Sequence, residues 1–265
     1  MDMKRLIIFT DLDGTLLDHD TYSWQPAADA LEKIRLQQIP LIINSSKTKA
    51  EIEQLRMELD NHAPFIVENG GAVYLLDSGA TPVPHRFGKP YGEIVSILDQ
   101  LRQKMDFRFR GFSDLTDDEL SDLTGLTRTE VVPAKKRSCS EPLLWDDSES
   151  NFELFSGILS EQGLQTVKGG RFIHIMGQTD KGRAMIWLLE HFKRQDPATD
   201  WTVIALGDSA NDKPMLELAD YAVVIRPATG EPLKLDKTEN IILTDKKGPA
   251  GWQEAMNQLL DQTGA

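Results

Sequence analysis

The sequence predicts an α/β protein, with a doubly wound, mostly parallel sheet and an α+β cap inserted into it. Short apolar runs alternate with helical segments near both ends of the chain, which is the pattern of a parallel sheet covered by helices. In the stretch between them, the predicted strands and helices do not alternate regularly. A chain of 265 residues also suits a core with an insertion better than one small domain. We assign residues 1–83 and 176–265 to the core and residues 84–175 to the cap.

The first part of the core contains three predicted strands and two helices. RLIIFT (5–10), PLIIN (40–44) and FIVE (65–68) are short apolar runs typical of parallel strands buried on both faces. Between them, PAADALEKIRLQQ has a proline in its first turn, where a helix tolerates it, and TKAEIEQLRMELD is the second helix. Strands that alternate with helices predict crossover connections and therefore a parallel sheet.

The predicted cap follows a Gly- and Pro-rich linker, GATPVPHRFGKP (79–90). It contains a helix (YGEIVSILDQLRQKM), a strand (FRFRGF), an acidic helix (TDDELSDL), a strand (CSEPLLW), a helix near 149–161, and two strands near 164–168 and 171–176. After Asp180 the α/β rhythm returns with a helix (DKGRAMIWLLEHF), a strand (WTVIALGD), a helix (NDKPMLELA) and a strand (YAVVI). The core is therefore split by the cap.

Composition limits the class of protein. The net charge of −13, without a basic stripe, argues against a nucleic-acid partner. The single cysteine, Cys139, excludes an intramolecular disulfide and fits a reducing compartment. The N-terminus lacks the shape of a signal peptide, and no apolar run reaches the roughly 18 residues that span a bilayer. We expect a soluble cytoplasmic protein with no membrane partner, and the sequence carries no signal for an oligomeric state.

Polar side chains follow several of the predicted core strands. The first strand runs into Asp11-Leu12-Asp13-Gly14-Thr15, the second into Asn44-Ser45-Ser46-Lys47, and a later one into Gly207-Asp208-Ser209-Ala210-Asn211-Asp212, while Lys181 opens a helix. Taken singly, such residues are helix caps, turn formers or a solvated lysine. Because ligands of open α/β sheets bind at the carboxyl ends of the strands, the joint occurrence predicts one site.

This set suits phosphoryl transfer. A carboxylate such as Asp11 can attack phosphorus, and a second carboxylate two residues on, Asp13, can act as general acid and then as base. Both reactants are anionic, so Mg²⁺ is expected between them, held by oxygen ligands. Asp11, Asp208 and the backbone carbonyl of Asp13 could hold it. The phosphate oxygens would then contact Ser45, Lys181 and the backbone N–H groups of Gly14 and Thr15.

These motifs together resemble the four motifs of the haloacid dehalogenase superfamily of phosphotransferases. The resemblance covers the whole predicted core and implies that Asp11 is nucleophile and metal ligand, that Asp13 is acid/base, and that Ser45 and Lys181 bind phosphate. It also implies a metal contact for Asp208. Asp212 would orient Lys181 or bind a metal water, and Asn211 would support the same site.

Longer stretches resemble a narrower family, the mannosyl-3-phosphoglycerate phosphatases. They are NSSKTKAEIE, VENGGAVY, SEPLLW, GGRFIHIMG and GDSANDKPML. The resemblance implies an anionic sugar phosphate as substrate and hydrolysis to mannosylglycerate and phosphate. The sequence departs from that family at Ser138 and Cys139, where an acidic and then an aromatic residue are expected.

The predicted substrate contacts combine core and cap residues. Lys135-Lys136-Arg137 is the only basic run of the cap sequence and is either a solvated turn or a site for the glycerate carboxylate. His174 is expected to pack within a strand rather than bind a ligand. The predicted substrate-binding residues are Gly14, Thr15, Ser46, Lys47, Asn69, Gly70, Lys136, Arg137, Gly170 and Arg171.

Other functions stay open at this point. A phosphomutase would use the same aspartyl-phosphate but return the phosphoryl group to a hydroxyl. A non-enzymatic regulator on the same fold predicts a damaged site, whereas every chemical position is filled here. A glucosyl substrate differs from a mannosyl one by a single axial hydroxyl, so the sequence does not separate them.

Overall fold

The structure is a computed structural model that describes residues 3–75, 84–169 and 171–263. These residues form one large and one small β-sheet. The strands that it describes are β1 (Met3–Thr10), β2 (Leu41–Asn44), β3 (Phe65–Val67), β4 (Ala72–Tyr74), β5 (His85–Arg86), β6 (Phe109–Gly111), β7 (Ser140–Trp145), β8 (Leu164–Lys168), β9 (Ile173–Gly177), β10 (Thr199–Gly207), β11 (Tyr221–Arg226) and β12 (Ile241–Lys247).

Helices surround both sheets. The α-helices in the described ranges are α1 (Ala28–Leu36), α2 (Lys49–Glu58), α3 (Tyr91–Met105), α4 (Asp117–Thr124), α5 (Arg128–Ala134), α6 (Glu149–Glu161), α7 (Lys181–Gln195), α8 (Lys213–Leu218) and α9 (Gly248–Thr263). Short 3₁₀ turns cover Gln25–Ala27, Glu68–Gly70 and Ala210–Asp212. Across these ranges we find no helix with both the length and the apolar character to span a bilayer.

The large sheet has the strand order β12-β11-β10-β1-β2-β3-β4-β5. Pairing is parallel from β12 to β3 and antiparallel at β4 and β5, with Ile8 of β1 in register with both Leu41 and Ile204. The chain runs from β1 outward through β2 and β3, then continues on the other side through β10, so β1 and β10 flank the point where the order reverses. The predicted doubly wound, mostly parallel sheet is confirmed.

Both faces of this sheet are covered, which explains why its central strands are continuously apolar. Ile8 and its neighbours on one face pack against Trp252 and other residues of α9, together with α1 and α2. Ile7 and Phe9 on the other face pack against Met185 of α7 and against α8. The Trp252 indole also donates a hydrogen bond to Thr10 Oγ1 (3.0 Å) at the end of β1, where the site begins.

The small sheet has the order β6-β7-β9-β8 and is antiparallel throughout. One of its faces packs on α3 and α6 through a cluster that includes Leu98, Phe155 and Ile175. Its strands lie in the segment predicted to be the α+β cap, and β9 ends two residues beyond the predicted boundary, at Gly177.

The predicted linker differs in part from the structure. Of residues 79–90, the first five lie outside the described residues, whereas His85 and Arg86 form β5 and pair with Val73 and Ala72 of the large sheet. The large sheet therefore extends two residues into the segment assigned to the cap. The structure also contains β4, α5, β12 and α9, which were not predicted from the sequence.

Candidate active site

The strand ends singled out in the sequence lie together at one edge of the large sheet. Asp11 directly follows β1 and its N–H donates to the Leu206 carbonyl of β10 (3.0 Å). Asp208 follows β10, and Lys181 opens α7. The carboxyl ends of neighbouring parallel strands meet at the same edge, so residues far apart in sequence form one cluster.

Lys181 is the centre of this cluster. Its side chain is fully buried, and its Nζ lies 2.6 Å from Asp11 Oδ1 and 2.6 Å from Asp212 Oδ1. Burial acts to lower the pKa of Lys181, but the two carboxylates outweigh it and hold the pKa above its ordinary value. The start of α7 is fixed by Asn44 Nδ2, which donates to the Lys181 carbonyl (3.0 Å). The lysine is therefore a positioned, permanent positive charge.

Three carboxylates converge beside it. Asp11, Asp208 and Asp212 each offer an oxygen, and these oxygens lie within 4.8 Å of one another. Burial, and then the charge of Asp212, raise the pKa of Asp11 to about 8 and that of Asp208 to about 6. One ammonium does not neutralise two buried carboxylates and a partly buried one, so the donor set suits a divalent cation with a preference for oxygen ligands. The predicted ligands Asp11 and Asp208 belong to this cluster, and Asp212 joins them.

Asp212 also shapes the loop after β10. Its Oδ2 accepts hydrogen bonds from the backbone N–H groups of Asp208 and Ser209, both at 3.0 Å. A Cβ at Gly207 would lie 2.4 Å from Asp212 Cβ, so only glycine permits this close approach. Asn211 lies on the same loop and donates from Nδ2 to Asn69 Oδ1 (2.9 Å). Asp212 and Asn211 thus hold the loop that presents Asp208.

Asp13 lies apart from the three carboxylates and pairs with Lys47. The Lys47 ammonium is 3.0 Å from Asp13 Oδ1, 3.8 Å from Glu51 Oε1 and 5.2 Å from the centre of the Tyr22 ring. Burial acts to lower the pKa of Lys47, yet Asp13 and Glu51 raise it above its ordinary value. Lys47, predicted to contact substrate, instead holds the predicted acid/base.

The turn after β1 is tight. Gly14 has φ +76°, and a Cβ there would lie 2.6 Å from Asp208 Oδ2. The N–H of Gly14 donates to the Leu17 carbonyl (2.9 Å) and that of Thr15 to the Leu12 carbonyl (3.0 Å). Both N–H groups predicted to bind phosphate are therefore used within the turn, which corrects that expectation. The Thr15 hydroxyl donates to Asp208 Oδ1 at 3.5 Å.

A cavity of about 470 Å³ lies above the carboxylates. The cap contributes one wall through the ends of β8 and β9, where Lys168 and His174 contact it. The core lines the other walls, so the cavity with Asp11, Asp13 and Asp208 lies between the two sheets. The lining residues are Asp11, Asp13, His19, Ser46, Asn69, Val167, Lys168, Gly169, His174, Asp208, Ser209, Ala210 and Asn211.

The predicted site residues that follow β2 and β3 differ in how deeply they are buried. Ser46 and Asn69 line the cavity, as expected for substrate contacts. Ser45 is fully buried beneath them and its Oγ accepts from the Lys47 N–H (3.3 Å). Gly70 has φ +88°, and a Cβ there would lie 2.2 Å from the Asp180 carbonyl, so this glycine is required for close packing of β3 against the start of α7.

The cationic residues predicted from the cap do not line the cavity. The Arg137 side chain is only 4% exposed; its Nε lies 3.5 Å from Glu68 Oε2 and also donates to the Ser140 carbonyl (3.0 Å). Lys136 and Arg171 are absent from the described lining, and Gly170 lies outside the described residues. The sequence did not identify His19, Lys168 or His174 as residues that line the cavity. The one sequence signal for this part of the wall was the neighbouring glycine pair, Gly169 and Gly170.

Comparisons with known proteins agree with this geometry. The profile of a family described as haloacid dehalogenase-like hydrolase matches residues 8–108 and 146–244. A protein of Methanococcoides burtonii named glucosyl-3-phosphoglycerate/mannosyl-3-phosphoglycerate phosphatase is 39% identical, with 96% of this chain and 97% of that protein aligned. The match extends through both sheets.

Solved structures are similar in fold at low sequence identity. A phosphatase of the haloalkanoate superfamily from Bacteroides thetaiotaomicron has 18% identity and a TM-score of 0.69, over 99% of this chain and 96% of that one. The sucrose-phosphatase of Synechocystis, solved with sucrose and phosphate, has 15% identity and a TM-score of 0.65, over 97% and 98% of the two chains. These structures show the same fold, while the family match and the 39% identical relative confirm the predicted superfamily and the prediction of a phosphoric monoester hydrolase. The chain belongs to the family of haloacid dehalogenase-like hydrolases.

Proposed function

We propose that this chain is a Mg²⁺-dependent phosphatase that hydrolyses mannosyl-3-phosphoglycerate, with the glucosyl analogue as the alternative substrate. The observation that carries the proposal is the buried Lys181, held 2.6 Å from both Asp11 and Asp212 beside a cavity that the cap lines on one side. The substrate class is supported by the name of the Methanococcoides burtonii relative, which aligns along nearly the whole chain.

The chemistry proceeds in two steps on Asp11. One of its carboxylate oxygens attacks phosphorus, the bond to the leaving oxygen breaks, and Asp13 gives that oxygen a proton. Water then attacks the aspartyl-phosphate and Asp13 accepts the proton of that water, which releases phosphate and restores Asp11. Lys181 balances the charge of Asp11 and of the phosphate oxygens throughout.

Mg²⁺, held by Asp11, Asp208 and the backbone carbonyl of Asp13, would supply positive charge that screens the nucleophile from the phosphate. Asp212 contributes to the same set of carboxylates and keeps the Asp208 loop in place. The raised pKa values of Asp11 and Asp208 support this assignment, because a cation favours their ionised forms.

The cavity suits an anionic polar leaving group. Its volume of about 470 Å³ lies within the range of small-molecule sites. Lys168 is the cationic side chain from the cap that lines it in the described residues, so we assign the glycerate carboxylate to Lys168. Arg137, expected from the sequence to bind that carboxylate, is instead paired with Glu68, and Lys136 and Arg171 do not line the cavity.

A phosphate-release panel tests the proposal. Mannosyl-3-phosphoglycerate, glucosyl-3-phosphoglycerate, free 3-phosphoglycerate and simple hexose phosphates are compared at equal concentration with Mg²⁺ present, and Asp11→Asn serves as the blank. We expect the two glycosylated substrates to give the highest kcat/KM. Faster release from a simple hexose phosphate would overturn the substrate assignment, and an isomerised sugar phosphate without free phosphate would identify a phosphomutase instead.

A further inference from the structure

His174 belongs to the wall of the cavity that the cap provides. It lies in β9 opposite Val167 of β8, and cross-strand partners share one face of a sheet. Both residues line the cavity that also contains Asp11 and Asp208. The face of the small sheet that carries His174 therefore looks toward the catalytic carboxylates, and none of the chemical steps described above uses this imidazole.

The imidazole has an unsatisfied nitrogen. Nδ1 is buried without a hydrogen-bond partner, which is rare for buried polar atoms. Burial, with the charge of Arg137 acting in the same direction, lowers the pKa of His174 to about 3, so the ring is neutral. A neutral ring carries one proton, and an unpaired acceptor is less costly than an unpaired donor. The proton is therefore placed on Nε2.

Gly169 keeps the space beside Nε2 open. A Cβ at this position would lie 3.0 Å from His174 Nε2 and 3.2 Å from Cδ2. The backbone is held there by the Gly169 N–H, which donates to the Phe172 carbonyl (2.9 Å). Gly169 lines the same cavity as His174. The absence of a side chain at Gly169 thus leaves the N–H edge of the imidazole uncrowded.

We propose that His174 is a specificity-determining residue whose Nε2–H donates a hydrogen bond to a hydroxyl or carboxylate oxygen of the leaving group. The inference rests on the proposed function, since it places the glycosylglycerate half of the substrate against β8 and β9. The phosphate lies on the opposite side, beside Lys181. His174 then contributes to recognition of the complete substrate and contributes nothing to p-nitrophenyl phosphate, whose leaving group carries no further hydroxyl and no carboxylate.

Three substitutions at His174 separate this role from packing. The amide nitrogen of Gln reaches the position of Nε2, that of Asn the position of Nδ1, and Leu offers no donor. We expect His174→Leu and His174→Asn to lower kcat/KM for the preferred substrate of the panel by roughly tenfold, mainly through KM. His174→Gln should retain most activity, and all three should cleave p-nitrophenyl phosphate like the wild type.

Gly169→Ala provides an independent variant, because its methyl group crowds Nε2 without changing the imidazole. Its matched control is Gly157→Ala in helix α6 of the small-sheet unit, where a Cβ meets no atom within 4 Å. We expect Gly169→Ala to raise KM for the preferred substrate and to weaken inhibition by the dephosphorylated product. Gly157→Ala should change neither value.

The outcomes distinguish this inference from the proposed function. If the wild type does not cleave either glycosyl-3-phosphoglycerate, the proposed function is overturned, and the series is then measured on the best ester of the panel. If Gln, Asn and Leu have equal effects, or p-nitrophenyl phosphate is affected as strongly as the preferred substrate, the inference about His174 is overturned. Thermal unfolding of each variant identifies losses that arise from folding alone.

Discussion

Glu68 connects the end of β3 to the start of β7, and we expect Glu68→Gln to destabilise the protein by about 3–5 kcal/mol. The carboxylate is fully buried and lies 3.5 Å from Arg137 Nε. Its two oxygens also accept hydrogen bonds from Ser138 N (2.7 Å), Ser138 Oγ (2.6 Å), Cys139 N (3.1 Å) and Ser140 Oγ (2.7 Å).

The magnitude follows from what the substitution leaves behind. Gln keeps the shape of Glu68 but removes its charge, so the guanidinium of Arg137, only 4% exposed, stays buried without its ion-pair partner. The substitution also replaces one of the two carboxylate oxygens by an NH₂ group, which faces the donors of residues 138–140 and cannot accept from them. Each buried donor left unpaired costs about 1–3 kcal/mol. Breaking a buried pair from one side costs about 3–5 kcal/mol in total.

Glu53→Gln is the matched control. It removes an acid of the same type from the Lys49–Glu53 pair, whose atoms lie 3.1 Å apart on the surface of α2. Exposed pairs four residues apart on a helix contribute about 0.3–0.5 kcal/mol. Urea unfolding should therefore show a large fall in midpoint for Glu68→Gln and almost none for Glu53→Gln. A loss below about 1 kcal/mol for Glu68→Gln would refute the reasoning.

A double-mutant cycle with Arg137→Ala isolates the pair. Arg137→Ala removes the partner but leaves Glu68 with its four hydrogen bonds from residues 138–140, so this loss should be smaller. We expect a coupling free energy above about 1 kcal/mol, because the two residues are in direct contact. Additive losses would show that the ion pair itself contributes nothing.

The pH dependence of stability has a definite sign. Burial acts to raise the pKa of Glu68, but Arg137 and the hydrogen bonds from Ser138 and Ser140 hold it below its ordinary value of 4.5. A carboxyl with a lowered pKa in the folded state contributes its full stability above the unfolded pKa and loses it as the pH falls through the folded pKa. The difference in the free energy of unfolding between wild type and Glu68→Gln should therefore be constant above the unfolded pKa of the carboxyl. It should shrink as the pH falls below that pKa.

Three further changes test the catalytic chemistry. Asp11→Asn should lower turnover below about 1% of wild type with an unchanged circular dichroism spectrum, and substantial residual turnover would remove Asp11 as nucleophile. EDTA should abolish activity and Mg²⁺ restore it, while calorimetry should show weaker Mg²⁺ binding by Asp208→Ala; full activity after thorough chelation would contradict the metal assignment. Lys47→Met should lower kcat on a sugar phosphate about tenfold but spare p-nitrophenyl phosphate, because that leaving group needs no proton from Asp13; equal losses would refute the positioning role.

The sheet and the catalytic cluster could be predicted because both follow from local signals. β1, β2 and β10 each contain a continuous apolar run, since helices cover both faces of the sheet. Asp11 and Asp208 follow such strands directly. Once the strands are parallel, their carboxyl ends must meet, so the cluster needs no further information about packing.

Other elements carry no comparable local signal. β5 has two residues, too few to show a periodicity, and it is defined by pairing with Val73 and Ala72. β12 is an edge strand whose residues are mostly exposed, so the apolar pattern of the inner strands is missing. Helix α9 begins at Gly248 and Pro249, residues that usually interrupt a helix, although a proline in the first turn is compatible with one.

The substrate contacts of the cap could not be predicted for a different reason, which Arg137 illustrates. A short basic run in an acidic protein indicates that a cation is present, but not whether its partner is a ligand or a buried side chain. Here the partner is Glu68, far away in the sequence, and their pairing joins the two sheets. That contact is one of several that hold the small sheet against the large one, and this placement brings Lys168 and His174 to the cavity. The residue expected to bind the substrate is thus better explained as one that positions the wall where the substrate binds.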